Sequence, residues 1–286
     1  MSIIFKALDK YSRDRGRGTL MFPESPRNPA EHGINSTLSP VPQFVKSEQG
    51  PVDARQSHFE VPPVESETDK TGFDESRVDF RMMALLKPHS LEAEQFRMLA
   101  TKLLFPLAGK PPRSILVTSA YPAEGKTFVA GNLSVTIALN LGRPVLVIDA
   151  DLRCPQLHTR FGFDSAPGLS DYLEGRRTLS SLFLGPTVQN LTLLPGGAPP
   201  INPSELISSE RMANFLDEVT AREGDHLIVI DAPPPGLTAE TNVLARQVDG
   251  IVIVIHHRKT RKADIYQTIQ NFGKQKVLGA IINNMS

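Results

Sequence analysis

The chain has 286 residues, 31 Lys and Arg against 31 Asp and Glu, 40% apolar residues, one cysteine and no tryptophan. A formal charge of zero removes the electrostatic footprint of a nucleic-acid binder, and a lone Cys154 rules out an intrachain disulfide or a thiolate-rich metal site. No apolar run nears the ~18 residues that a bilayer span needs, and charges interrupt segment 1–10 where a signal peptide needs an apolar core, so the expected location is the cytoplasm.

In chain order, Ile3, Ile4, Ala7, Leu8 and Tyr11 fall at helical spacing, which predicts a short amphipathic segment over 1–11, either a frayed terminal helix or a docking peptide. Residues 12–81 carry recurring prolines (Pro23, Pro26, Pro29, Pro40, Pro42, Pro51, Pro62, Pro63) among Ser, Glu, Asp and Arg. Such a stretch lacks the apolar surface to offset its ordering entropy and is expected to be a disordered tether. The folded domain is expected over 82–286. A helix is predicted at 92–105, a strand at 114–118, a helix at 127–141 and a strand at 144–148. A short strand follows at 191–194, then a Gly-Gly-Ala-Pro-Pro loop, a helix over 206–220 and a strand at 226–230. Strands at 250–255 and 277–282 flank a helix at 262–272. Wholly apolar strands alternating with helices predict an α/β fold, a mostly parallel sheet covered by helices on both faces.

Between the first strand and the second helix of that domain lies Ala120-Tyr-Pro-Ala-Glu-Gly125-Lys126-Thr127, the P-loop form with Ala in place of the first Gly. Ala123, Glu124, Gly125, Lys126, Thr127 and Phe128 are thereby candidates for the phosphate cradle, since loop and helix-start N–H groups point at bound anions. Lys126 is expected on the β- and γ-phosphates of ATP, and the Thr127 hydroxyl on Mg²⁺. Asp149 and Asp151 end one buried strand and Asp231 ends another, the latter as in a Walker B strand. The carboxyl ends of parallel strands line the ligand crevice, so these acids should meet one Mg²⁺ and one phosphate chain. Asp149 and Asp231 are the expected metal ligands beside Thr127. Of the nearby arginines, Arg153 is the expected phosphate contact. His256-His257-Arg258-Lys259 follows a strand end and offers an anion-binding loop or a solvated turn.

Together these residues resemble the bacterial tyrosine kinases of capsule and exopolysaccharide loci, over roughly 86–285. The resemblance rests on the P-loop, on Asp149-Ala-Asp151-Leu-Arg153-Cys-Pro-Gln-Leu-His158 (a Walker A′ motif), on Val229-Ile-Asp231-Ala-Pro-Pro, and on the Pro-x-Asn-Pro203-Ser-Glu-Leu loop. The opening Met-Ser-Ile-Ile-x-Lys-Ala-Leu is similar to the exosortase-linked subgroup. Chromosome-partition and division-site ATPases share the P-loop architecture, but their signature lysine is Tyr121 here. The resemblance implies a P-loop NTPase fold and a Mg·ATP-dependent protein-tyrosine kinase, with Lys126, Asp149, Asp151 and Asp231 as the catalytic set and Asp151 accepting the tyrosine proton. Asn283 matches a position that contacts the base in related folds, or else forms a turn. It further implies a protein tyrosine substrate, recruitment to the inner face of the membrane by a chain-length-determinant (polysaccharide co-polymerase) type activator, and a homo-oligomer. The family's C-terminal tyrosine cluster is absent from this sequence, whose tyrosines are Tyr11, Tyr121, Tyr172 and Tyr266. Its Glu-x-x-Arg-x-x-Arg oligomer helix reads Glu94-Gln-Phe-Arg97-Met-Leu-Ala100. A partner protein, or an isolated site such as Tyr172 or Tyr266, is then the expected acceptor. The alternative expectation is an ATP-bound switch or scaffold of the export machinery that phosphorylates no tyrosine.

Overall fold

The computed structural model describes residues 2–4, 75–107, 109–185, 188–221, 226–236 and 239–283. Its strands are β1 (Ser2–Ile4), β2 (Ser114–Ser119), β3 (Val145–Asp149), β4 (Leu191–Leu194), β5 (Leu227–Asp231), β6 (Gly250–His256) and β7 (Val277–Asn283). Its α-helices are α1 (Met83–Leu86), α2 (Leu91–Leu104), α3 (Lys126–Asn140), α4 (Leu157–Arg160), α5 (Leu169–Leu173), α6 (Pro203–Ile207), α7 (Glu210–Ala221), α8 (Glu240–Gln247) and α9 (Lys262–Phe272). One sheet runs in the order β1-β7-β6-β2-β5-β3-β4. All pairs are parallel except β1 with β7.

The two-residue period of a strand explains why these segments read as unbroken apolar runs. Ile115 and Val117 of β2, Val145 and Val147 of β3, and Leu227 and Val229 of β5 face one core, shared with Phe96 of α2, Leu133 of α3 and Leu157 of α4. The residues between them, Leu116, Leu146, Ile148, Ile228 and Ile230, face a second core with Leu169 of α5, Ile207 of α6, Phe215 of α7, Leu244 of α8 and Ile269 of α9. The expected α/β architecture is thus present, with helices on both faces.

Several boundaries differ from the sequence expectation for identifiable reasons. Residues 2–4 were expected in a helical segment but pair antiparallel with β7, Ile3 opposite Ile281. β7 would otherwise present an unpaired edge, and β-branched Ile3 and Ile4 suit a strand. Residues 5–11 of that segment, and 12–74 of the expected tether, lie outside the described residues. Within the remainder of the tether, a 3-10 turn forms at Glu75–Arg77, Val78 is buried, and Asp79 binds Arg81 and Arg160. Packing therefore begins ahead of the expected boundary at Met82. The buried Asn132 of α3 fixes this approach, accepting from the Ala84 N–H at 2.9 Å and donating to the Arg81 carbonyl at 3.1 Å. The single helix expected over 206–220 is two, because Ser209 caps α7 through the Met212 N–H (3.2 Å) and restarts the chain after α6. Glu94 and Arg97 of α2 close on each other at 2.7 Å, and Arg97 also donates to the Pro88 carbonyl. As an exposed i, i+3 pair they contribute about 0.2–0.5 kcal/mol.

Candidate nucleotide and phosphotransfer site

Parallel registration brings the chemistry together. Asp149 at the end of β3 lies opposite Asp231 at the end of β5, and Asp231 lies opposite Val117, just ahead of the loop that leaves β2. The loop's path is set by left-handed backbone at Ala123 (φ 60°) and Gly125 (φ 98°). A Cβ on Gly125 would stand 2.1 Å from Asn283 Nδ2, so only glycine fits beneath that amide. Asn283 donates from the same Nδ2 to the Glu124 carbonyl at 3.0 Å. That contact makes it a brace for the loop, a role the sequence did not suggest.

Glu124 is buried, and its carboxylate accepts from the Tyr121 N–H at 3.0 Å and from the Thr260 hydroxyl. The turn after β6 therefore holds the loop from outside. Lys126, 7% exposed, opens α3 with its ammonium directed into the acidic strand ends, where it favours the charged forms of Asp151 and Asp231. Thr127 and Phe128 occupy the first turn of the same helix, behind the cradle.

The three aspartates have different surroundings. Asp149 is fully buried and spends its oxygens on the following loop, accepting from the N–H groups of Gln156 and Leu157 at 2.9 Å and of Asp151 at 3.2 Å. Burial, together with the nearby Asp231 charge, holds its carboxyl well above the usual range. Gly196 lets the Pro195-Gly-Gly loop pass behind it: a Cβ there would meet Pro155 Cβ at 2.7 Å and Asp149 Cγ at 3.5 Å. Asp231 is equally buried, yet both of its oxygens lack a hydrogen-bond partner, the Thr127 hydroxyl lying close without completing one of good geometry. Burial pushes its carboxyl up to about 7. Asp151 is half-buried, raised by desolvation and drawn down by Lys126.

An orphaned carboxylate beside a hydroxyl and a lysine fits Mg²⁺ brought in with nucleotide phosphates, because Mg²⁺ takes few protein ligands and completes its shell with water and phosphate oxygens. No group of three His, Cys, Asp or Glu side chains suited to a metal occurs among the described residues, so the nucleotide would have to supply part of that shell.

A carboxyl whose folded-state pKa is raised binds its proton more readily when folded. The stability it contributes is complete below about 4 and falls as pH rises through 7. The ligand-free protein is therefore expected to melt progressively lower between about pH 4 and 7 and to level off above it. Asp231→Asn should flatten that slope and raise the melting temperature at pH 8, as read by calorimetry. Parallel slopes in the two proteins would show that Asp231 is not the titrating group.

Arg153, expected on phosphate, holds Glu240 at 3.0 Å and Ser204 at 3.1 Å through one guanidinium nitrogen, and Ser204 donates to the same Glu240 oxygen at 2.7 Å. Glu240, fully buried at the start of α8, is a site residue that sequence reasoning missed. Through it the Asp149–Arg153 loop and the Pro203–Ser204 segment are joined. The pair is asymmetric, Arg153 being half-exposed and Glu240 wholly buried with one oxygen unpartnered. Arg153→Ala leaves the buried Glu240 charge with the Ser204 hydroxyl alone and is expected to cost about 1–3 kcal/mol. Glu240→Gln, which leaves Arg153 to solvent, should cost markedly less in urea unfolding. Equal losses would mean that the charge pair does not matter.

No protein-family model matches the chain. It is 35% identical over 210 residues, 73% of this chain and 87% of the relative, to the tyrosine-protein kinase YwqD of Bacillus subtilis (strain 168). The chain belongs to the bacterial tyrosine-protein kinase family. The fold of this kinase agrees. The kinase domain of the Escherichia coli tyrosine kinase ETK superposes with a TM-score of 0.66 at 29% identity, covering 71% of this chain and 79% of that one. The septum site-determining protein MinD of Pyrococcus horikoshii OT3, solved with Mg-ADP, is more distant at TM-score 0.52 and 25% identity, covering 61% and 71%. The division-site ATPases are therefore the more remote branch of a shared P-loop fold. This chain is a protein-tyrosine kinase, a class whose chemistry lies in positioning phosphates and neutralising their charge. No helix among the described residues is long and apolar enough to cross a membrane.

Proposed function

We propose that this kinase transfers the γ-phosphoryl group of Mg·ATP to protein tyrosines in the cytoplasm and thereby regulates exopolysaccharide assembly and export. The observation that carries the reading is the orphaned Asp231 carboxylate beside Thr127 and Lys126, with the more accessible Asp151 nearby. The loop N–H groups and Lys126 would hold the β- and γ-phosphates. Thr127 and Asp231 would hold Mg²⁺, which supplies counter-charge to the migrating group, while Asp149 keeps the Asp149–Arg153 loop in shape. Asp151 would accept the tyrosine proton, since its raised pKa places it nearer the working pH than an exposed carboxylate.

The motif resemblance also supports a membrane activator of the chain-length-determinant type, which would bring the kinase to the inner face of the membrane, and assembly into a homo-oligomer. The test is phosphotyrosine mass spectrometry on the full chain with and without the activator's cytoplasmic segment, using Lys126→Ala as control. Tyrosine phosphate that rises with the segment is expected. ATP hydrolysis with no tyrosine modified in either protein would replace kinase activity with a nucleotide switch.

A further inference from the structure

The sequence points to Tyr172 or Tyr266 as isolated acceptors, but the surroundings of the described tyrosines differ. Tyr172 is half-buried, its ring 5.7 Å from Phe215 and covered by the Arg211 guanidinium at 4.5 Å. Tyr266 is half-buried on α9. Tyr121 keeps 40% of its surface exposed, on the loop that bears Lys126. Its hydroxyl lies 3.4 Å from an Arg261 guanidinium nitrogen, at a cavity of about 290 Å³ that Lys259 and His256 also line. Two acids approach this cavity: Glu124 accepts from the Tyr121 N–H and Thr260, and Asp264 holds Arg261 at 2.7 Å while also lying close to the Tyr121 hydroxyl. The cations on its wall, Arg261 and Lys259, lie on the side to which the Tyr121 hydroxyl points, and that is the side where an anion would seat.

We propose that Tyr121 is an acceptor of this kinase, phosphorylated by a second copy of the chain, and that its phosphate seats against Arg261 and Lys259. This rests on the kinase reading above and adds the acceptor to it. Arg261 gives a phosphate charge-assisted hydrogen bonds from a planar fork, with Lys259 as a second cation. Transfer between copies follows from the sheet order. The phenol contacts the turn after β6, whereas Asp151 follows β3, three strands away through β2 and β5. At ~4.8 Å per strand that is about 14 Å, beyond the hydrogen-bond reach of a general base. In the step itself the Tyr121 oxygen bonds to the γ-phosphorus as the bond to the bridging oxygen of ADP breaks. The phenol proton passes to Asp151 of the copy that holds the ATP.

The experiment mixes active full-length chain with Lys126→Ala chain in Mg·ATP, with a glutamate–tyrosine copolymer as an independent acceptor. Trypsin releases Tyr121 in peptide 114–126 from the active chain, but in 114–153 from the variant, because Lys126 is gone and Pro144 blocks cleavage after Arg143, so each copy reports separately. The expected result is Tyr121 phosphate on the 114–153 peptide, with removal by a tyrosine phosphatase accelerated several-fold when the acceptor chain also carries Arg261→Ala. Copolymer phosphorylation with Tyr121 unmodified would overturn the assignment and leave the kinase intact. Tyr121 phosphate confined to the active copy would overturn transfer between copies. Phosphate on neither copolymer nor Tyr121 would overturn the kinase reading and this assignment with it.

Discussion

Lys126→Ala is expected to abolish nearly all nucleotide-induced stabilisation and all tyrosine phosphorylation. A ligand that binds only the folded state at a hundred times its dissociation constant stabilises by about 2.7 kcal/mol. The wild-type chain in Mg·ADP should therefore melt several degrees higher than without it. The variant removes the buried ammonium that opens α3 and faces Asp151 and Asp231. It should keep its ligand-free fold, because the loop is held independently through Glu124 by Tyr121, Thr260 and Asn283. Thermal unfolding with and without Mg·ADP decides the point. A shift equal to wild type would place the nucleotide away from this loop.

The second large effect is expected at Asp151. Asp151→Asn should leave Mg·ATP affinity within a few-fold of wild type while phosphotransfer falls by about 10²–10⁴, the usual contribution of a positioned general base. The substitution is nearly isosteric. It retains an oxygen for the long 3.4 Å contact from the Cys154 N–H, and Asp149 still accepts from the backbone N–H of residue 151. Asp231→Asn should instead weaken the Mg²⁺-dependent part of binding, because it removes the carboxylate whose oxygens lack protein partners. Titration of both variants with and without Mg²⁺ separates the roles. Equal losses of binding would remove the reason for naming Asp151 as the base.

Asp149 illustrates how far the residues themselves could be read. Its place at a strand end beside a second acid is legible from an apolar run followed by Asp-x-Asp. Its partners are not: they are the N–H groups of Gln156 and Leu157, which reach it only because the chain turns back into α4. Arg153 shows the same division. The motif puts it near the phosphates, but the buried carboxylate of α8 that it holds is 87 residues away in sequence and is not legible from the motif. Of the helices the sequence did not suggest, α1, α4, α5 and α6 have four or five residues each, too short for a 3.6-residue period to emerge above chance, and α8 has eight.

What the sequence determined by itself follows from local rules. Strands with both faces buried must be apolar throughout, and helices between them fix a parallel sheet. A Gly-Lys-Thr at a strand-to-helix turn presents free N–H groups and a cation to phosphate. Those rules carried the fold class, the phosphate loop, the acidic strand ends and, with the motifs, the family. Tertiary structure decided which acid has open oxygens, which arginine is already paired, and what holds the loop. Asn283 meets Glu124 across 159 residues of chain, and β1 finds its partner only at the far edge of the sheet. A buried polar group takes whatever partner the fold brings within about 3 Å. That proximity is set by sheet order and the packing of both cores, and no periodicity or composition along the chain encodes it.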